Sequence, residues 1–226
     1  MLPRVIIFNG VSLDGRMDGG EGSGEVDMGL YYDLAGRFGA QAMLSGSETM
    51  VSGMANENLP EVETVNQPEL YPNHVPYLVA VDSRGQIRNW NAIRSLPYWK
   101  EVVVLCAEDS PADYLAYLKR IDVPHIVAGQ GHVDLRAALE ELNRRYGIQA
   151  VRVDSGGILN GILLRAGLVD EVSVLIDATL VGGTSPRSIF VAPDLPAGAK
   201  AIPLRLTQLE RLKENVVWLR YEVVKG

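Results

Sequence analysis

Thiols and imidazoles are scarce in this chain of 226 residues, which contains one cysteine and three histidines. A single thiol excludes an internal disulfide and any metal site built from several thiolates. Cys106 ends the apolar run Val102–Cys106, so we predict a core position for it rather than a catalytic role. No histidine has a partner at a metal-ligand spacing such as HxxxH, so we expect no bound metal.

Long apolar runs and an excess of positive charge are also missing. No stretch approaches the roughly 18 apolar residues of a membrane-spanning helix, and Met1–Arg4 lead into a predicted strand rather than a signal peptide. The formal net charge is −7, whereas a nucleic-acid or anionic-membrane partner requires a basic surface. We therefore expect a cytoplasmic protein with a small-molecule substrate and with neither nucleic acid nor a membrane as partner.

Short β-branched runs alternate with amphipathic helical stretches along most of the sequence, and 47% of the residues are hydrophobic. This alternation predicts an α/β sandwich with a largely parallel sheet, in a single domain over residues 1–226. Most of the runs are apolar throughout, as in strands that are buried on both faces. The predicted strands are Arg4–Phe8, Ala42–Ser45, Tyr77–Asp82, Val102–Cys106, His125–Val127, Ala150–Asp154 and Glu171–Ile176.

Three helices have clear boundary signals. Ser110 is the predicted N-cap of the first helix, and Pro111 is its predicted first helical residue. Asp134 predicts the N-cap of the second, which Gly147 ends. The third is predicted over residues 157–165.

Two segments depart from this alternation. The segment Leu204–Val224 predicts a long antiparallel hairpin that closes the edge of the otherwise parallel sheet and makes it mixed. The segment Met54–Val75 lacks periodicity and contains several prolines, so we predict an extended loop. A functional lid and a plain surface excursion explain this loop equally well.

Glycine-rich turns follow three predicted strands, at Ser155–Gly157, Gly129–Gly131 and Ser45–Thr49. Backbone without side chains and the start of a helix both favour phosphate. Because the carboxyl ends of parallel strands meet at one edge, where α/β folds bind ligands, the three turns predict a nucleotide site. Simple chain reversal is the alternative interpretation. Neither GxSxG nor GxxxxGK[ST] occurs, which excludes the common serine-hydrolase and P-loop motifs.

Two further turns carry a cation. The turn Asp82–Arg84 places a hydroxyl beside a guanidinium, so Ser83 and Arg84 are candidates for holding the 2′-phosphate that distinguishes NADP from NAD. Near the N-terminus, Arg16 can hold a substrate phosphate and Asp14 a sugar hydroxyl or ring nitrogen. A solvated turn explains the first pattern, and a local ion pair the second, without any ligand.

The order of these motifs resembles the reductase domain of the riboflavin-biosynthesis deaminase–reductases, a family of pyrimidine reductases. The resemblance spans nearly the whole chain, and its most specific parts are the first motif and the two that begin at Asp154 and Gly167. It rests on Val11–Arg16, Gly46 with Thr49, Val81–Ser83, Val133–Leu135, Asp154–Gly157 with Leu159 and Asn160, Gly167–Glu171, and Gly182–Gly183.

The resemblance implies a dihydrofolate-reductase-like fold, which is a three-layer αβα sandwich, with NADPH as cofactor and a homodimeric assembly. Members of the family reduce the ribosyl group of 5-amino-6-(5-phosphoribosylamino)uracil, or of its diaminopyrimidinone analogue, to a ribityl chain. Carried over by position, the catalytic residues facing the substrate are Asp154, Asp14 and Arg16. The residues expected at the cofactor are Gly46, Thr49, Asp82, Ser83, Arg84, Gly129, Ser155, Gly156, Gly157, Ile158 and Leu159.

This chain departs from the family pattern mainly on the substrate side. Family members usually have Glu where this chain has Asp154, and an acid, Asp-Pro and Leu-Thr where it has Met50–Ala55. A His-x-x-Arg motif is reduced to Arg37, with Leu34 at the histidine position. The first hypothesis is therefore NADPH-dependent reduction of the pyrimidine phosphate. Reduction of another heterocycle such as a pterin is the second, and a non-catalytic nucleotide-binding protein is the third.

Overall fold

The computed structural model of the chain describes residues 1–17, 28–54, 75–184 and 187–225. Residues 55–74 of the predicted long loop lie outside these ranges. No helix within them is long and apolar enough to cross a membrane. The elements are β1 (Arg4–Ser12), α1 (Met28–Gly36), β2 (Ala42–Gly46), α2 (Ser47–Met54), β3 (Tyr77–Val81), α3 (Trp90–Arg94), β4 (Val102–Cys106), α4 (Ala112–Arg120), β5 (His125–Val127), α5 (Leu135–Tyr146), β6 (Ala150–Val153), α6 (Gly157–Arg165), β7 (Glu171–Asp177), β8 (Leu204–Arg211) and β9 (Val217–Val223).

The chain forms two compact units. The first unit contains Met1–Pro3 and Ala40–Val151, and the second contains Arg4–Gly39 and Arg152–Gly226. Strand β6 contributes residues to both, because the boundary falls inside it. The single domain over residues 1–226 stays a prediction.

A parallel sheet forms the centre of the first unit, with the strand order β5-β4-β3-β2. All five residues of β4 are buried, as expected for a strand that is covered on both faces. Cys106, the last residue of β4, is fully buried in a cluster of apolar side chains. Its predicted core position is therefore confirmed.

A mixed sheet forms the centre of the second unit. Strand β1 pairs with β7 in parallel, whereas β9 pairs antiparallel with both β7 and β8. The hairpin between β8 and β9 turns through a short 3₁₀ helix, whose last residue Asn215 has a φ of 65°. The predicted C-terminal hairpin and the predicted α/β class with a mostly parallel mixed sheet are both confirmed.

The helix boundaries agree with the sequence signals at α5 but not at α4. The side chain of Asp134 accepts a hydrogen bond from the first turn of α5 at 3.0 Å, and Gly147 ends that helix with a φ of 68°. At α4 the N-cap is Pro111, so the prediction of Ser110 as N-cap was wrong. Ser110 lies one residue too early, and its hydroxyl instead hydrogen-bonds to the turns after β3 and β4.

Candidate active site

Asp154 follows the end of β6 in the second unit, and its side chain is 26% exposed. The Nη2 atom of Arg152 lies 3.6 Å from its Oδ2 atom, and Tyr31 of α1 hydrogen-bonds to the same carboxyl group. Burial raises the pKa of Asp154, and the charge of Arg152 and the hydrogen bond from Tyr31 oppose this only in part. The carboxyl group therefore keeps its proton to a higher pH than an ordinary aspartate and can donate it to a substrate.

The Tyr31 hydroxyl faces two oxygen acceptors. It donates a hydrogen bond to the carbonyl oxygen of Phe8 at 3.0 Å and also contacts the carboxyl group of Asp154. Burial raises the pKa of Tyr31 well above its ordinary value, so the phenol stays protonated. Sequence analysis missed Tyr31 and Arg152, although a charge inside the apolar run Ala150–Val153 was a visible signal.

Two buried amide side chains hold the turn at Ser155. Nδ2 of Asn9 donates to the carbonyl oxygen of Ser155 at 3.2 Å. Nδ2 of Asn160 donates to Oδ1 of Asn9 at 2.9 Å and to the carbonyl oxygen of Ile189 at 3.0 Å. The turn is thus fixed from β1 and from within α6, so the backbone at the start of α6 is preorganised.

Gly157 and Gly161 allow another segment of the second unit to lie directly against α6. A Cβ atom on Gly157 would be 2.1 Å from the carbonyl oxygen of Ser188, and one on Gly161 would be 2.2 Å from that of Val191. The amide of Val191 donates to the carbonyl oxygen of Gly157 at 2.9 Å. Close packing within the chain thus already requires glycine at position 157, and a cofactor contact there stays a prediction.

The first turn of α6 presents its residues differently. Gly156 is the N-cap and provides no capping side chain. Ile158 is exposed, whereas the side chain of Leu159 is buried in the core. Of the residues expected at the cofactor, Ile158 can therefore offer its side chain to a ligand, and Gly156 and Leu159 can offer only backbone groups.

The carboxylate of Asp14 holds the loop after β7. Its Oδ1 atom accepts from the Ser12 hydroxyl at 2.6 Å and from the Val181 amide at 3.1 Å, and its Oδ2 atom accepts from the Gly182 amide at 2.7 Å. These hydrogen bonds lower the pKa of Asp14 to about 2. Asp14 is an exposed carboxylate that organises the loop.

Arg16 lies against the same loop. It forms an antiparallel bridge with Ser188, and a Cβ atom on Gly183 would be 3.7 Å from its Nη2 atom. Gly182 and Gly183 both have positive φ, at 71° and 94°, which only glycine adopts readily. The structure thus places a cation beside an open glycine loop, an arrangement that suits an anion.

In the first unit, the carboxylate of Asp82 is fully buried in the turn after β3. Its Oδ1 atom accepts from the Gln86 amide at 2.9 Å, and its Oδ2 atom accepts from the Ile87 amide at 3.0 Å and from the Tyr114 hydroxyl at 2.7 Å. These surroundings give no support for the expected cofactor contact by this side chain, because it is fully buried and both of its oxygens already accept hydrogen bonds within the protein. Asp82 instead fixes the backbone of the turn that carries Ser83.

Hydrogen bonds join the turns that follow β2, β3, β4 and β5. They run from Ser47 to Gln86 at 2.9 Å, from Ser110 to Ser83 at 2.8 Å and from Glu108 to Gly129 at 2.8 Å. Two of the three glycine turns noted in the sequence therefore lie at one edge of the first unit's sheet, as parallel strands require. The third, at Ser155, belongs to the second unit.

At this edge Ser83 is half-buried and Arg84 is exposed. Within the described residues, the Arg84 guanidinium has no hydrogen bond or ion pair. Gly46 ends β2, and Thr49 is half-buried in the first turns of α2. Ser83 and Arg84 thus present a hydroxyl and a cation together, which is the combination expected for a phosphate.

The loop at Gly129 carries acidic neighbours that sequence analysis missed. A Cβ atom on Gly129 would be 2.6 Å from the backbone amide of Asp134, so a side chain does not fit there. The Asp109 carboxylate accepts from the Gly131 amide at 2.8 Å, and Glu108 is exposed beside it. Two carboxylates disfavour phosphate, and this loop therefore suits sugar hydroxyls better.

Comparison with known proteins gives a consistent result. Residues 3–218 match the family model of the RibD C-terminal domain. The 2,5-diamino-6-ribosylamino-4(3H)-pyrimidinone 5′-phosphate reductase of Methanothermobacter thermautotrophicus is 32% identical over 222 residues, which cover 96% of this chain and 97% of that protein.

Two solved structures share the fold. RibD of Acinetobacter baumannii superposes with a TM-score of 0.70 at 21% identity, over 99% of this chain and 58% of that one. A pyrimidine reductase-like protein of Corynebacterium diphtheriae superposes with a TM-score of 0.71 at 18% identity, over 99% of this chain and 93% of that one.

Proposed function

This chain belongs to the RibD C-terminal domain family, and from that premise we propose that it is an NADPH-dependent reductase of riboflavin biosynthesis. Its substrate is 2,5-diamino-6-ribosylamino-4(3H)-pyrimidinone 5′-phosphate or the corresponding uracil, whose ribosyl group becomes a ribityl chain. The observation that carries the proposal is the 32% identity with the archaeal reductase over 96% of the chain.

The residues at the candidate nucleotide turns fit NADPH. Ser83 and Arg84 offer a hydroxyl and a guanidinium for the 2′-phosphate, while Glu108 and Asp109 suit ribose hydroxyls. In the second unit, the start of α6 at Gly156 is the candidate for the diphosphate, because the positive end of a helix dipole favours phosphate. When bound, NADPH supplies the hydride.

Asp154 is the proton donor in this proposal. Its pKa is raised, so its acid form persists to higher pH and can protonate the ribose ring oxygen as the bond from that oxygen to C1′ breaks. The resulting imine carbon accepts the hydride. Arg16, beside the loop at Gly182 and Gly183, is assigned to the substrate phosphate, and Asp14 keeps that loop in place.

The test is turnover of the ribosylaminopyrimidine phosphate, followed by the absorbance of the reduced nicotinamide. We expect NADPH oxidation by the wild type, loss of turnover in Asp154→Asn, and retained turnover in Asp33→Asn, which changes an exposed aspartate on α1. Cofactor at about 100 times its dissociation constant should stabilise the fold by about 2.7 kcal/mol. Stabilisation by NADPH without turnover would contradict the proposed substrate and favour reduction of another heterocycle. The absence of stabilisation would contradict NADPH as the cofactor.

The same proposal includes a cytoplasmic homodimer with one domain over residues 1–226. Exposed leucines on β8 support a second copy as the partner, because Leu204, Leu206 and Leu209 lie opposite apolar or aromatic residues of β9 in the pairing register. Light scattering should show a dimer for the wild type and a monomer for Leu206→Glu with Leu209→Glu. The control Leu180→Glu changes a leucine outside β8 that is more exposed than either of these two, and it should leave the dimer intact.

A further inference from the structure

Arg152 is a charged residue within the buried strand β6, and the proposed function so far gives it no role. Its side chain is 10% exposed. Its Nη2 atom lies 3.6 Å from Oδ2 of Asp154, which is longer than the about 2.7–2.9 Å of a charge-assisted hydrogen bond. Within the described residues, its Nε atom has no hydrogen-bond partner. The guanidinium therefore interacts with Asp154 mainly through its charge.

A second buried ion pair in the chain shows how a structural pair is built. Arg94 is also 10% exposed, and its partner Glu101 is 17% exposed. Two parallel hydrogen bonds of 2.8 Å join the guanidinium of Arg94 to both carboxylate oxygens of Glu101. A buried charge without such bonds is costly, so stability alone does not explain Arg152.

Among the described residues, the groups that face Asp154 come from two elements. Arg152 lies on β6, which ends directly before Asp154, and Tyr31 comes from α1, with the ring of Tyr32 packed against that of Tyr31. Burial keeps the Tyr31 phenol in its neutral form. Among the described residues that face the carboxyl group, Arg152 is therefore the only one with a formal charge.

We propose that Arg152 is a positioning residue that acts through Asp154 and stabilises its carboxylate form after the proton has moved to the substrate. The inference rests on the proposed function, in which Asp154 gives its proton to the ribose ring oxygen and regains one from water before the next turnover. Burial alone would favour the acid form of Asp154 and slow the transfer of its proton to the ribose ring oxygen. The positive charge of Arg152 lowers this cost and so favours transfer of the proton from Asp154 to the substrate.

The direct test is a ¹³C NMR titration of the aspartate carboxyl groups in the full-length protein, with the Asp154 signal assigned by its loss in Asp154→Asn. Arg152→Met removes the charge and keeps an unbranched apolar stem. We expect it to move the titration midpoint of Asp154 upward by about one pH unit or more, since an opposite charge at this distance has effects of that size. Arg152→Lys keeps a positive charge at this position, so its Asp154 midpoint should lie close to that of the wild type.

Arg94→Met is the matched control, because it removes an equally buried arginine that does not face Asp154. It should lower stability and leave the Asp154 midpoint in place. Should Arg152→Met fail to fold, Arg152→Gln supplies a second neutral variant. Tyr31→Phe should also move the midpoint upward, because the phenol stabilises the charged form.

Kinetic measurements distinguish a positioning role of Arg152 from direct binding of the substrate by Arg152. The basic limb of the wild-type kcat profile, which the proposal assigns to loss of the proton from Asp154, should move to higher pH in Arg152→Met. A rise in KM with that limb unchanged would overturn the proposal, because Arg152 would then bind the substrate directly. An unchanged NMR midpoint in Arg152→Met would also overturn it. The NMR arm needs neither substrate nor cofactor, so failure of the wild type to turn over contradicts only the proposed function.

Discussion

Gly157→Ala tests whether glycine is needed at the start of α6 for packing within the chain. The new methyl group would be 2.1 Å from the carbonyl oxygen of Ser188 and 2.9 Å from Cγ2 of Val191, so residues 188–191 must move. Such overpacking costs about 1–3 kcal/mol, and loss of the hydrogen bond from Val191 to Gly157 adds about 1 kcal/mol. Alanine returns up to about 1 kcal/mol through helix propensity. We expect a net destabilisation of about 1–3 kcal/mol, or about 2–12 °C in Tm.

Thermal unfolding without cofactor measures this effect, and Gly36→Ala is its control. Gly36 is also helical, but a Cβ atom there meets nothing within 4 Å, so the same substitution should leave Tm unchanged or raise it. An unchanged Tm in Gly157→Ala, together with a weaker affinity for NADPH, would refute the packing argument. Glycine would then be required at this position by the ligand.

Three further predictions follow from single side chains. The NMR chemical shift of the Gly182 amide should titrate with a midpoint near pH 2. Its hydrogen bond to the Asp14 carboxylate is present above the lowered pKa of that group and is lost as pH falls through it. A midpoint near the ordinary 3.8 would contradict this prediction. Tyr114→Phe leaves Asp82 without one buried hydrogen bond and should cost about 1–3 kcal/mol in urea denaturation, and a change below about 0.5 kcal/mol would argue against the described network. Arg84→Ala should weaken NADPH binding about tenfold or more without affecting NADH binding, since a hydrogen-bonded charge pair contributes about 1.5–3 kcal/mol. Equal losses of affinity for both cofactors would contradict the assignment of Arg84 to the 2′-phosphate.

The strands were predictable where they are apolar on both faces, as in β4, and less so where buried residues are polar. Strand β1 was predicted to end at Phe8 but continues to Ser12. Asn9 interrupts the apolar pattern, yet it is buried because Asn160 and the Ser155 carbonyl satisfy its amide group. Such a partner, distant in sequence, leaves no local signal.

Helices α1, α2 and α3 were not predicted, for a related reason. Helix α2 begins directly after β2, at Ser47, where the glycine pattern indicated only a turn. Helix α1 buries Tyr31, Leu34 and Ala35 but has apolar residues on its other side as well, which weakens its periodicity. Tertiary packing, rather than local sequence, defines these elements.

The candidate site was partly predictable because its turns follow strands in a known order. That order made Asp154 and Ser83 candidates, and their roles stay predictions. The proposed role of Arg152 was not predictable from it, since that role depends on the burial of the Asp154 carboxyl group and on the incomplete bonding of the guanidinium. Asp82 was expected at the cofactor from its place in the motif Val81–Ser83, and that contact stays a prediction. The sequence does not show that its side-chain oxygens accept hydrogen bonds from Ile87 and Tyr114.

The central claim is that Asp154 donates a proton during reduction of a ribosylaminopyrimidine phosphate. The most direct measurement is NADPH oxidation with that substrate as a function of pH, in the wild type and in Asp154→Asn. We predict that the wild type is active while Asp154 is protonated and loses activity as pH rises through its raised pKa, and that the variant is inactive throughout. Equal turnover by both proteins, with the same pH profile, would contradict the account.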